Sequence, residues 1–348
     1  DDIHTIVLDD TYQDLAMFQN DPVHVAVQLI THQASSVSQI MLDTADENED
    51  SVRRLIESLE HAHNQVTDLF VFNYTAEDNA IIPRIIHALE HPNCKINTLS
   101  ICGDGGAQTT GLTNETAIQL LQVLCSPAKT NTIRSLILTN NAIDLGDNND
   151  LITAALLHQT GSLENITLST MEGDGGHTAA SQNDDAWLSC IATLIGTPGN
   201  QLEDIDMGQS YLTDAPLFQL GQALASDHSQ VQKIDIHEAH SISHFGINEL
   251  AGRNVQPLLE IDVTPLHGFT EAAHVQLSTQ FAMNTPALAV TGLNDNLVAE
   301  PAELVEAQFT AMEIDAGHQA GAGLFAAQPD AMDQDDETES ILSLWQWK

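Results

Sequence analysis

The sequence predicts an α/β solenoid, with one parallel sheet along one side of a stack of short repeats and helices along the other. Three observations predict it. The pattern apolar-x-x-apolar-x-apolar returns at least ten times along the 348 residues. Amphipathic helical stretches lie between its copies. The chain is 42% hydrophobic but only 4% aromatic, which suits an array built on Leu, Ile, Val and Ala better than a globular aromatic core. Units of this period bury an apolar edge only against their neighbours. One continuous array is therefore expected, although the length would suffice for two ordinary domains.

The strand copies run in order. They begin with Ile3-His-Thr-Ile6-Val-Leu8, Val37-Ser-Gln-Ile40-Met-Leu42 and Val66-Thr-Asp-Leu69-Phe-Val71. Ile96–Ile101, Ile133–Leu138, Leu163–Leu168, Leu202–Met207, Val231–Ile236, Leu258–Val263 and Phe309–Ile314 follow, with Leu288-Ala-Val290 as a degraded copy. Side chains alternate across a strand, so the pattern's apolar residues point into the core and the residues between them form an exposed ribbon. Helical patterns sit at Leu55, Ile56 and Leu59, with Ser51 as a candidate N-cap. Others sit at Ile81, Ile82, Ile85, Ile86 and Leu89, and at Ile118, Leu120, Leu121 and Leu124.

The fullest copy reads Ile133-Arg-Ser-Leu136-Ile-Leu138-Thr-Asn-Asn141-Ala-Ile143. It resembles the leucine-rich repeat consensus, asparagine included. Most copies start about 24–30 residues apart, the range expected for that family. A strand plus a full helix per unit resembles its ribonuclease-inhibitor-like branch. The resemblance implies a leucine-rich repeat solenoid, a horseshoe with a concave parallel sheet and convex helices. It covers residues 1–318 as about eleven repeats and leaves 319–348 as a C-terminal cap or acidic tail. The asparagine position is elsewhere Tyr74, Asp104, Met171, Ser210 or Ala239, so the asparagine ladder is largely absent. Two long steps carry the inserts Gly103-Asp-Gly-Gly106 and Gly173-Asp-Gly-Gly176, which are expected to form edge loops.

Nine Lys+Arg stand against 50 Asp+Glu, a net charge of −41. That excludes nucleic acid and anionic membrane surfaces as partners, because both demand basic clusters. No stretch approaches the ~20 apolar residues of a membrane span. Cys94, Cys102, Cys125 and Cys190 are scattered, which predicts free thiols in a reducing compartment rather than a disulfide framework. Asn165 heads a glycosylation sequon but falls in a predicted strand, a poor site for a glycan. The tail carries the acidic run Asp333, Asp335, Asp336, Glu337 and Glu339 before an apolar end with Leu344, Trp345 and Trp347. It resembles the translocation signal of effectors secreted by type IV systems such as those of Legionella. It reads equally as a cap over the last repeat.

Chemistry-bearing motifs are weak. His237-Glu-Ala-His240-Ser-Ile-Ser-His244 is the densest histidine cluster, but it lacks helical His-Glu-x-x-His spacing and a neighbouring cysteine, so surface histidines are the expectation and no metal or cofactor is assigned. Neither Gly-Asp-Gly-Gly loop has the spaced acids of a calcium loop or the Gly-Lys-Ser/Thr of a phosphate loop. Asp144, Asp147 and Asp150 come nearer to a calcium spacing without reaching it.

The exposed ribbon divides into two zones. Met41, Phe70, Phe72 and Ile137 make its first half apolar, and exposed apolar patches with aromatic anchors mark interaction sites. Asp204, Asp206, Asp235, Glu260 and Asp262 make its second half acidic, which suits a basic partner. The expected function is a non-enzymatic scaffold that binds a protein partner on the concave face, with the tail's resemblance implying a secreted bacterial effector in the host cytosol. The alternative is a GTPase-activating protein, because activators of Ran share this repeat type and an acidic tail.

Overall fold

The computed structural model describes residues 4–8, 22–44, 49–74, 81–103, 112–126, 132–139, 141, 148–169, 176–237, 239, 242–243, 246–247, 250, 258, 260–263, 279, 283 and 289–291. The chain divides into two compact units, Asp1–Leu297 and Val298–Lys348. All the described residues belong to the first. The tail, the Phe309–Ile314 copy and the expected boundary at 318 lie outside them.

Among the described residues of the first unit, strands and helices alternate from β1 to β8. Strands β1 (Thr5–Leu8), β2 (Gln39–Asp43), β3 (Asp68–Tyr74), β4 (Thr98–Gly103) and β5 (Ser135–Thr139) alternate with helices α1 (Pro22–Thr31), α2 (Glu49–Ser58), α3 (Ile81–Glu90) and α4 (Asn114–Leu124). Then come α5 (Asn149–His158), β6 (Asn165–Ser169), α6 (Gly176–Ile195), β7 (Asp204–Asp206), α7 (Asp214–Leu224), β8 (Lys233–Asp235), β9 (Glu260–Asp262) and β10 (Ala289–Thr291). The ten strands pair in sequence order, every pair parallel, in one open sheet. This is the leucine-rich-repeat-like solenoid that the period predicted.

The apolar positions carry the core. Ile6, Leu8, Ile40, Leu42, Leu69, Val71, Leu99, Ile101, Leu136, Leu138, Ile234 and Ile236 are all buried and join the helices in one cluster. Helix α3 shows the other half of the arrangement, with Ile81, Ile82, Ile85, Ala88 and Leu89 buried along one stripe. Each buried aliphatic side chain contributes ~1.5–3 kcal/mol relative to exposure. Every unit lends its neighbours several, which makes stacking cooperative.

Register is set just before each strand. Two successive backbone N–H groups share the carbonyl of the preceding repeat: Thr67 and Asp68 on Ser38, Asn97 and Thr98 on Thr67, Arg134 and Ser135 on Asn97. The sequence continues with Glu164 and Asn165 on Arg134, Glu203 and Asp204 on Glu164, and Gln232 and Lys233 on Glu203.

Polar side chains close the turns. Asn141 accepts from Leu112 N–H at 2.8 Å and donates to the Ile101 and Thr139 carbonyls at 2.8 and 2.9 Å. Ser210 reaches the equivalent carbonyl of Leu168 at 3.4 Å. Asp184 and Asp185 of α6 accept from the N–H groups of Tyr211 and Thr213, and Asp214 accepts from that of Ser243. At the opposite edge Asn64, Gln159 and Asn200 donate to the Leu59, Leu124 and Ile195 carbonyls. These buried amides sit where helices end and strands begin, where backbone carbonyls would otherwise be orphaned.

Two expectations are corrected. Helix α2 starts at Glu49, so Ser51 lies in its first turn and does not cap it. Asp50, in the first turn, favours the earlier start through the helix dipole, and Ser51 instead accepts from Arg54. Gly176 is not in an edge loop but opens the 20-residue helix α6. Asp150 lies in α5, while Asp144 and Asp147 lie outside the described residues.

Candidate functional site

The sheet face opposite the helices carries two registered rows of side chains. One runs Thr5, Gln39, Asp68, Thr98, Ser135, Asn165, Asp204, Lys233 and Glu260. The next runs Val7, Met41, Phe70, Ser100, Ile137, Thr167, Asp206, Asp235 and Asp262. Neighbouring strands lie ~4.8 Å apart, so adjacent members of a row are in direct reach. The second row changes from apolar to acidic at Thr167, in the middle of the sheet.

The apolar side chains of this row lie on neighbouring strands, as the alternation requires. Met41, Phe70, Phe72 and Ile137 are half-buried. The Phe70 and Phe72 rings stand parallel, 6.4 Å apart between centroids and 8° between planes, an offset-stacking separation. Ser100, expected on the exposed ribbon, is instead buried. It is flanked by Phe70 and Ile137 in the row, and these larger side chains cover a small one. Its hydroxyl lies 3.4 Å from Cys102 Sγ, and Thr139 Oγ1 donates to the same sulfur at 3.0 Å.

The acidic half splits between the rows. Asp204 and Glu260 flank Lys233, whose Nζ is 3.7 Å from Glu260 Oε1. Asp206, Asp235 and Asp262 are consecutive with no basic residue in their row. Burial pushes the Asp206 carboxyl above its ordinary value, and the Asp235 charge adds to it against a hydrogen bond from Gly208 N–H. Burial pushes Asp235 up as well, but bonds from the His237 ring and backbone outweigh it and hold this carboxyl low.

In sequence His237 clusters with His240 and His244, which lie outside the described residues. The fold places it two positions beyond Asp235, with its Nδ1 2.6 Å from Asp235 Oδ1. Sequence reasoning missed this partnership, although the strand-end pattern Asp-x-His was there to read. None of the four cysteines is in a disulfide, and Cys94 and Cys190 are buried; Asn165 lies in β6 as expected. Among the described residues no helix is long and apolar enough to cross a membrane.

No protein-family model matches the chain, and no curated protein matches it. Among solved structures the chain is similar to one described as the crystal structure of the Rad7 and Elc1 complex in yeast. Identity is 14%, the TM-score is 0.34, and the match covers 85% of this chain and 85% of that one. A likeness this distant assigns no partner.

Proposed function

We propose that the chain is a non-enzymatic protein-binding scaffold whose partner docks on the exposed sheet face. The carrying observation is the single row in which Val7, Met41, Phe70 and Ile137 give way to Asp206, Asp235 and Asp262. Contiguous apolar side chains on a solvated face mark interaction surfaces, and aromatic side chains concentrate binding energy. Phe70 and Phe72 form the energetic centre, with Met41 and Ile137 beside them. Asp204, Asp206, Asp235, Glu260 and Asp262 face a basic region of the partner and steer its approach. The acidic run and apolar end of the tail support a bacterial effector acting on a host protein within this reading.

The test is capture of a partner from cell lysate by wild type and by Phe70→Ala/Phe72→Asp. Phe218→Ala, on the exposed side of α7, serves as control. The reading requires loss with the first variant and retention with the second. Retention by both, with loss on altering residues 103–112 or 172–185, would place binding on the inserts instead.

A further inference from the structure

We propose that Asp206, Asp235 and His237 form a binding site for a divalent transition-metal cation of the zinc class. One ligand atom from each residue lies within 4.8 Å of the others. Zinc–nitrogen and zinc–oxygen bonds of ~2.0–2.2 Å put neighbouring tetrahedral ligands roughly 3.4 Å apart. Small side-chain rotations therefore close the set around an ion. Three protein ligands leave further coordination positions for water.

The donor set is assembled by the fold. Asp206 and Asp235 are register partners on β7 and β8. The ladder continues past the strand ends, where Gln209 N–H donates to the His237 carbonyl at 2.8 Å. That brings Gly208 beside His237. A Cβ at Gly208 would collide with the imidazole ring, so this glycine leaves the space that lets the ring sit against the neighbouring strand. Gly208 N–H also donates to Asp206 Oδ1 at 3.0 Å and fixes that carboxylate.

Charge and chemistry agree. Asp206 and Asp235 repel each other, Asp262 follows Asp235 in the row, and a divalent cation would offset that repulsion. One imidazole with carboxylates selects zinc-like ions, whereas calcium and magnesium prefer oxygen donors alone.

The experiment is calorimetric titration of the full chain with Zn²⁺, and separately with Ca²⁺, for wild type, His237→Ala, Asp206→Asn, Asp235→Asn and Gly208→Ala. His61→Ala is the control for surface histidines, and circular dichroism checks folding. Asparagine preserves the shape of aspartate, so those two variants keep the test valid if Gly208→Ala does not fold. The expected result is one saturable Zn²⁺ site, weakened at least ~10-fold in the ligand variants and in folded Gly208→Ala, and unchanged in His61→Ala. Equal affinity in wild type and His237→Ala overturns the proposal. So does wild-type affinity in folded Gly208→Ala, or Ca²⁺ binding as tight as Zn²⁺ binding.

Discussion

Phe70 and Phe72 occupy the same face of β3 and stack 6.4 Å apart with their planes 8° from parallel. Two residues separated by one position point the same way in a strand, so the pair forms a wall beside Met41 and Ser100. Phe70→Ala is expected to weaken partner binding by ~2 kcal/mol or more. Because both rings are half-buried, the stability loss should stay below the ~3–5 kcal/mol of a core phenylalanine deletion. Surface plasmon resonance and urea unfolding on the same variant separate the two effects.

Neutralising acids should act on rate. Asp204→Asn/Asp262→Asn is expected to slow association and flatten its salt dependence, with dissociation little changed, because rim charges steer encounter more than they hold the complex. Association rates measured across a salt series check this. An effect confined to dissociation would place these carboxylates in the buried centre.

Asn141 satisfies three backbone groups from two repeats. Asn141→Ala leaves them without that partner inside the stack, each at ~1–3 kcal/mol before relaxation. A net loss of about 2–4 kcal/mol is expected, read as a lower urea midpoint. An unchanged midpoint would mean that water replaces the amide.

Stability should respond to acid with a definite sign. Burial raises the folded carboxyls of Asp185 and Asp206 above 3.8. The folded chain then takes up protons before the unfolded chain does, so these groups add stability as pH falls through their raised values toward 3.8. Asp235 is held below 3.8. Its contribution is present above that value and is lost as pH falls through its lowered one. Asp204 is exposed, and solvent screening keeps it out of this balance. Asp206→Asn should therefore melt higher than wild type at neutral pH, with the gap closing as pH approaches 3.8. Thermal melts across that range check it, and a gap that widens on acidification contradicts it.

The thiols should react in two classes. Cys102 and Cys125 are half-buried and should react with a thiol reagent first. Cys94 and Cys190 are buried, and burial raises the Cys190 thiol further despite a bond from Thr153, so its thiolate is scarce. All four should react in denaturant. Fewer than four would signal disulfide formation.

The sequence by itself determined the strands, their order and which face is buried. The period-two alternation around Ile6, Leu136 and Ile234 encodes the inward face locally, and a repeat leaves no other place for it. The placement of the apolar and acidic side chains on the open sheet face followed from the same alternation. Only the tertiary structure decided what meets across strands. That Ser100 is covered depends on Phe70 and Ile137, 30 and 37 residues away. Asp184 and Asp185 stand in for the missing asparagines from a neighbouring helix, because a buried N–H donates to any acceptor that reaches it. Likewise His237 stands with Asp206 because Gly208, just past the end of the neighbouring strand, has no side chain to keep it away. Local pattern fixes direction, whereas contact between repeats depends on the shape and reach of residues that sequence spacing does not relate.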